Sequence, residues 1–223
     1  VTDIGVIMLD NDLPRPVGDI GNPRSFAYPI AYDVCPGAET TLVVEQSAVG
    51  LLEAVKATAA RLRDKSVRAI TTCCGFLAIY QKELAATQDV PVATSSLLQV
   101  PLVLRMLKPE QKVCVLTVNA STLTDRHLAA VGITERVNLV GLEHTEHFYP
   151  MIVGKRKDLD VPTAEAEVVA AATKATQDDP SIGAFVFECT NLPPYGGAVR
   201  AATGLPVWDA LTMIDWLRAG VAA

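Results

Sequence analysis

Ala69-Ile70-Thr71-Thr72-Cys73-Cys74-Gly75-Phe76 decides how this chain is read. Its first half is a short apolar and β-branched run, the pattern of a buried strand. Its second half is a polar turn carrying thiols, and the residues from Leu77 to about Ala86 then read as a helix. Ala184-Phe185-Val186-Phe187-Glu188-Cys189-Thr190-Asn191-Leu192 repeats the plan. Pro91, in Val90-Pro91-Val92, follows Cys74 by seventeen residues, and Pro206, in Leu205-Pro206-Val207, follows Cys189 by seventeen. The equal spacing predicts two copies of a strand–thiol–helix–loop–strand unit. Cys74 and Cys189 then occupy matching places and face a shared site.

Working outward, Ile4-Gly5-Val6-Ile7-Met8-Leu9 is a continuous apolar run ending in Asp10-Asn11. Such a run fits a parallel strand buried on both faces, and ligands of open α/β sheets collect at the carboxyl ends of such strands. Lys112-Val113-Cys114-Val115-Leu116-Thr117-Val118-Asn119 restarts the pattern and also ends on an Asn. Between them, Asp12 to Pro36 is dense in Pro, Gly and Asn, which predicts a long loop without regular elements. Arg15 and Arg24 within it are candidate carboxylate contacts. Thr40 to Glu45 reads as a strand, followed by a helix from Ser47 to about Arg63 with Val49, Leu52, Val55, Ala59 and Leu62 on one face. Pro91-Val92-Ala93 begins a strand that ends on Thr94, Ser95 and Ser96, and Leu97 to Leu107 is helical. In the second half, Thr122 and Asp125 have capping-box spacing. Val137 to Leu142 is a strand, Asp160 to Thr176 a helix, and Ala210 to about Ala219 the last helix.

Strands alternating with helices over short connections define an α/β class with parallel sheets. The restart near residue 110 predicts two pseudo-symmetric halves, 1–108 and 109–207, with the terminal segment 208–223 packing back on the first. The active site is expected at their interface.

With 223 residues, half hydrophobic and a fifth charged, the chain buries a substantial core. The net charge of -6 and the lack of a basic run argue against nucleic acid as a partner. No apolar run approaches the roughly 20 residues of a membrane helix, and the start shows neither a charged n-region nor an h-region. A cytoplasmic location is the corresponding expectation. Five cysteines, an odd number without a C-x-x-C pair, do not form a secreted disulfide framework. The three histidines lack zinc-site spacing. His144 and His147, beside Glu143 and Glu146, read as a solvated acidic loop, so no metal is expected. There is also no phosphate loop of the P-loop or dinucleotide type.

A thiol at a strand's end, just before a helix, feels the positive end of the helix dipole, and its pKa is expected to fall. The same turn offers free N–H groups for a carboxylate, Gly75 leaves room for close approach, and Thr190 and Asn191 add side-chain donors. Two such turns place a thiolate and a thiol on opposite faces of a bound carboxylate. One can remove the proton beside it while the other returns one, with inversion at carbon. Cys35 and Cys114 lie in apolar surroundings and read as inert core thiols. Cys73 points away from Cys74 if strand geometry persists; it reads as a core residue, with itself as the alternative reactive thiol.

The Thr72-Cys73-Cys74-Gly75 turn, the Glu188-Cys189-Thr190-Asn191-Leu192 turn and the two-half layout resemble the aspartate/glutamate racemase superfamily. That group includes hydantoin racemases, maleate isomerases and arylmalonate decarboxylases. The resemblance covers nearly the whole chain. It implies two flavodoxin-like halves, a site needing no cofactor, pyridoxal phosphate included, and one catalytic cysteine from each half, here Cys74 and Cys189. Substrate binding would fall to Thr72, Cys73, Gly75, Phe76, Thr190 and Asn191, helped by Asn11 and Asn119. The expected activity is a racemase or epimerase, an isomerase acting on a small carboxylate. Cis–trans isomerisation or decarboxylation by the same cysteines, or non-catalytic binding of a small acid, are the alternatives. The family often forms dimers, so a homodimer is an expected assembly. Amino-acid racemases of this group follow the first cysteine with Asn-Thr. Gly75-Phe76 here turns the reading toward an acid with an apolar portion.

Overall fold

Two parallel sheets of four strands form from the apolar runs. The computed structural model describes residues 2–134, 137–154 and 156–222; Val1 and Ala223, the outer bounds of two segments defined from the sequence, lie outside them. The first sheet orders β2 (Ile30–Val34), β1 (Ile4–Met8), β3 (Ala69–Thr72) and β4 (Val92–Ala93). The second orders β6 (Val137–Gly141), β5 (Lys112–Thr117), β7 (Ile182–Phe187) and β8 (Val207–Trp208). Both therefore run 2-1-3-4 in their own numbering, the flavodoxin-like order. Helices shield the central strands, which is why β3 and β7 are buried at every residue and carry no polar alternation.

Register makes the two halves comparable residue by residue. Ile7 pairs with Thr72 and Ile70 with Val92 in the first sheet; Leu116 pairs with Phe187 and Phe185 with Val207 in the second. One step beyond the strands, the Cys73 N–H donates to Ile7 O and the Glu188 N–H to Leu116 O, each at 2.8 Å. Cys74 and Cys189 are therefore equivalent, as the spacing predicts. Cys73 and Glu188 are equivalent too.

Several elements differ from the sequence reading. Thr40–Glu45 is a helix, α1, because Thr40, Val43 and Val44 are its buried residues, a helical and not an alternating spacing. The strand expected there is supplied by β2, inside the stretch read as an irregular loop, where a 3-10 turn also forms at Pro23–Ser25. Ser47 and Ala48 have φ near +52°, so α2 (Leu52–Asp64) starts later than expected, and Val49 stays exposed. Val55, Thr58, Ala59 and Leu62 make up its buried face. After the first thiol turn the chain is 3-10 over Gly75–Tyr80 before α3 (Gln81–Ala85). A 3-10 segment, Ser96–Gln99, likewise precedes α4 (Val100–Met106).

In the second half the capping box of α5 (Asp125–Ala130) forms two residues later than expected, between Thr124 and His127. After α6 (Phe148–Ile152), α7 (Val161–Asp178) is capped by Asp160, and α8 (Gly196–Thr203) connects β7 to β8. The last helix, α9 (Ala210–Val221), starts on an Asp209–Thr212 capping box. It packs against both β3 and β8, and Arg218 joins Arg68 at Asp3. No helix among the described residues is long and apolar enough to cross a membrane.

Candidate active site

The carboxyl ends of β3 and β7 bring the two thiol turns together across the interface of the halves. Each turn is held by hydroxyls. Thr72 Oγ1 donates to Thr94 O at 2.7 Å and accepts from the Cys74 N–H. Thr190 Oγ1 crosses over to donate to Cys73 O, and Ser96 Oγ donates to Phe187 O. Gly75 closes the approach. A Cβ at that position would fall inside the contact distance of the Glu188 carboxylate and main-chain oxygen, so only glycine admits Glu188 there.

A cavity opens between the turns. Its thiols are Cys73, Cys74 and Cys189; its other polar lining is Asn11, Arg15, Thr40, Glu188, Thr190 and Asn191. Leu9, Leu13, Val44, Phe76, Val118 and Ile152 supply the apolar lining. Free space among these side chains is about 20 Å³, enough for a water molecule, so the wall must part to admit anything larger. Of the residues expected at the site, Asn11, Cys73, Cys74, Gly75, Phe76, Cys189, Thr190 and Asn191 line this cavity. Thr72 and Asn119 do not: Thr72 is spent holding its turn, and Asn119 Oδ1 accepts from Ser121 N–H and Oγ.

The loop from Asp12 onward is folded into the site. Arg15 donates to Asp19 Oδ1 and to Asn11 Oδ1, each at 3.0 Å, and its guanidinium stands beside the Cys73 thiol. Asp19 is wholly buried and also accepts from the Gly21 N–H and from Asn191 Nδ2. Arg15 was a candidate carboxylate contact from the sequence; its partner Asp19 and its reach to Cys73 were not foreseen. Arg24, the other candidate, is exposed, and its N–H serves the local turn at Asn22.

The thiols are not acidified in the way the sequence suggests. Burial pushes Cys74 well above the usual thiol range, and the Glu188 carboxylate adds to the rise while the Phe76 N–H opposes it. Burial likewise raises Cys189, again with Glu188. A 3-10 turn in place of an α-helix after Cys74 leaves little dipole to offset that cost. Cys73 is raised by burial as well, opposed by Arg15 and by the Leu9 N–H, which donates to its sulfur at 3.0 Å. Cys74 is the one free cysteine among the described residues that is not fully buried. The Cys189 thiol donates to Asn191 Oδ1 at 3.6 Å.

Glu188 is the residue that sequence reasoning passed over. It is fully buried, Oε2 accepts from Thr117 Oγ1 at 2.6 Å, and Oε1 has no partner. Burial pushes its carboxyl up to about 7. A glutamate at the end of an all-apolar strand was the available signal. Elsewhere, His147 is a structural histidine whose Nε2 accepts from the Asp160 N–H, and no cluster of three metal-ligating side chains occurs among the described residues.

No family model matches the chain. It is 34% identical over 222 residues to dimethylsulfoniopropionate lyase 7 of Emiliania huxleyi, covering 94% of this chain and 64% of that protein. It is 30% identical over 231 residues to the dimethylsulfoniopropionate lyase of Durusdinium sp. clade D, covering 97% of this chain and 74% of that protein. The chain thus spans under two thirds of the first relative and about three quarters of the second. Among solved structures, a glycine-to-cysteine variant of arylmalonate decarboxylase with associated sulfate superposes with a TM-score of 0.67 at 18% identity, over 99% of this chain and 94% of that one. Allantoin racemase from Klebsiella pneumoniae gives 0.65 at 16%, over 100% and 88%. These structures match the fold expected from the sequence. The related sequences overturn the expected reaction: they carry the name of a lyase, so the racemase or epimerase reading, and the isomerase class with it, is corrected.

Proposed function

The chain belongs to the dimethylsulfoniopropionate lyase family, on the fold of the aspartate/glutamate/hydantoin racemase superfamily, and on that premise we propose that it splits dimethylsulfoniopropionate into acrylate and dimethyl sulfide. The substrate is a propionate with a dimethylsulfonium group on its β-carbon. A base removes a proton from the carbon beside the carboxylate, and the C–H electron pair becomes the double bond. The C–S bond then breaks with its electrons on sulfur. Proton removal beside a carboxylate is also how racemisation begins, which is how one fold serves both reactions.

Each role has a candidate in the cavity. Cys74, the partly exposed thiol, is the base, acting through the small fraction of thiolate that its raised pKa leaves at neutral pH. Cys189 keeps its proton, engaged with Asn191 Oδ1. Arg15 faces the substrate carboxylate, joined by the N–H groups of Gly75 and Thr190, equivalent positions in the two turns with no main-chain partner among the described residues. The aliphatic lining and the Phe76 ring accommodate the sulfonium, a cation with an apolar coat suited to an aromatic face. As the C–S bond breaks, that charge vanishes into neutral dimethyl sulfide, which an apolar wall favours.

One observation carries this reading: two thiols of equivalent register meet in one cavity whose lining also holds a guanidinium, a buried carboxylate, and aliphatic and aromatic side chains. Incubation with dimethylsulfoniopropionate should release dimethyl sulfide, measured by gas chromatography, and acrylate, measured by NMR, in equal amounts. Exchange of the α-proton with deuterated solvent without release of either product would overturn the proposal.

A further inference from the structure

Elimination leaves a problem that inversion does not. In a two-base racemase, one thiol takes a proton and the other gives one, so the enzyme ends each turnover with the same number of protons. A lyase of the proposed kind converts a zwitterion into an acrylate anion and a neutral sulfide, so one proton stays behind on the base. Here that base lines a cavity with room for about one water molecule, and its proton has to leave before the next turnover.

We propose that the Glu188 carboxylate takes this proton from Cys74 and passes it to solvent, an inference that rests on the lyase reading above. Glu188 lines the same cavity as both thiols. Its Oε1 is buried and unpaired, while Oε2 is pinned by Thr117 Oγ1, so one oxygen is fixed and the other is free to accept a proton. Gly75 lacks the Cβ that would exclude the carboxylate from the residue next to Cys74. Glu188 also stands in the register position that Cys73 fills in the first half. The second turn thus carries a carboxylate where the first carries a thiol.

The groups around it leave this carboxylate free to trade protons. From the first turn it faces the Cys74 thiol, with Cys73 beyond; from its own turn, the Cys189 thiol; and from β5, the Thr117 hydroxyl. The charged pair Arg15 and Asp19 acts on Cys189, and the Glu188 carboxyl is shifted only by burial and by Thr117. With its carboxyl near 7, Glu188 can hold a proton and release it at neutral pH. The protons balance: the substrate C–H proton goes to the Cys74 sulfur, from there through a water of the size the cavity admits to Glu188 Oε1, and then to bulk water as the cavity opens for product release.

The test compares wild type with Glu188→Gln, which keeps an acceptor for Thr117, and with Glu188→Asp, which keeps the carboxylate. Glu188→Gln should lower kcat for dimethylsulfoniopropionate at pH 7 at least 10-fold. The deficit should narrow toward pH 9, where hydroxide can take the thiol proton, and Glu188→Asp should recover part of the loss at neutral pH. A loss by the same factor at every pH, or no loss, would overturn the proposal. A second readout needs no turnover: the rate of Cys74 alkylation by iodoacetamide, followed by mass spectrometry from pH 5 to 9. In wild type it should bend near neutral pH as Glu188 ionises, and in Glu188→Gln it should follow a single thiol titration. Identical alkylation curves would overturn the coupling even if dimethylsulfoniopropionate were not the substrate. Normal coupling with no lyase activity in wild type would instead overturn the lyase reading.

Discussion

The turn after β3 and the turn after β7 hold equivalent registers and clasp each other, yet they are chemically unlike. Position for position, Cys73-Cys74-Gly75-Phe76 stands against Glu188-Cys189-Thr190-Asn191. The contacts are reciprocal: Gly75 makes room for Glu188, and Thr190 reaches back to the Cys73 carbonyl. What lies around the matched thiols differs. Phe76 gives the first turn an apolar neighbour, while Asn191 ties the second to Asp19 and so to Arg15. Pseudo-symmetry therefore places the two sulfurs, and the residues that break it give them different surroundings. A symmetric pair suits a reaction that takes a proton on one face and gives one on the other. An asymmetric pair suits a reaction that only takes one.

Exchanging each sulfur for oxygen tests that asymmetry with the largest effect. Cys74→Ser replaces the proposed base by an alcohol, far less acidic than a thiol, so dimethylsulfoniopropionate cleavage should fall by about 10³-fold. Cys189→Ser keeps a donor for Asn191 Oδ1. Its loss should be nearer 10-fold. Steady-state acrylate formation by both variants, with folding checked by circular dichroism, measures the ratio. Equal losses would mean that both thiols carry protons, and the comparison between the turns would collapse back to symmetry.

What could be read from the residues alone follows from the range of the interactions concerned. The equivalence of Cys74 and Cys189 was countable because strand, turn and the following Pro are local and recur at one spacing. The α/β class was likewise legible in the buried runs of β1, β3, β5 and β7. β2 was hidden because breakers surround its five residues, and α1 because Thr-Thr-Leu-Val-Val has strand composition while its burial is helical. The Glu188–Gly75 fit could not be read, since it is a contact between residues more than a hundred positions apart. The proposed reaction was illegible for a chemical reason: racemisation and elimination can begin with the same removal of a proton beside a carboxylate.

Glu188 and Cys73 share a register position, and stability against pH should separate them. Burial raises the Glu188 carboxyl from 4.5 to about 7 on folding. Between those values the folded protein holds a proton that the unfolded chain has lost, so stability falls as pH rises. The contribution is fully present below 4.5 and is lost by about 7, a decline of about 3 kcal/mol at 1.36 kcal/mol per unit. Glu188→Gln lacks this decline, so urea unfolding at pH 5 and pH 8 should show a gap smaller than that of wild type by about that amount. Cys73→Ser should leave the gap as it is, because a buried thiol does not titrate in this window. An unchanged gap in Glu188→Gln would mean that the carboxyl is solvated in solution, and its contrast with Cys73 would lose its physical basis.

The smallest effect is expected at the other reciprocal contact. Thr190 Oγ1 donates to Cys73 O from a nearly fully buried position. Thr190→Val keeps the branched shape and removes the hydroxyl, so the carbonyl loses that donor. The loss should lie between about 1 and 2 kcal/mol, seen as a lower urea midpoint with an unchanged slope. Its effect on the two thiols sharpens the comparison. The bond ties the second turn to the backbone of Cys73, next to Cys74, and does not touch the Cys189 sulfur. Loosening it should therefore raise iodoacetamide labelling of Cys74 more than that of Cys189. Equal gains at both would make Thr190 a general strut between the halves. A gain confined to Cys74 would mean that the second turn holds the first turn's thiol in place.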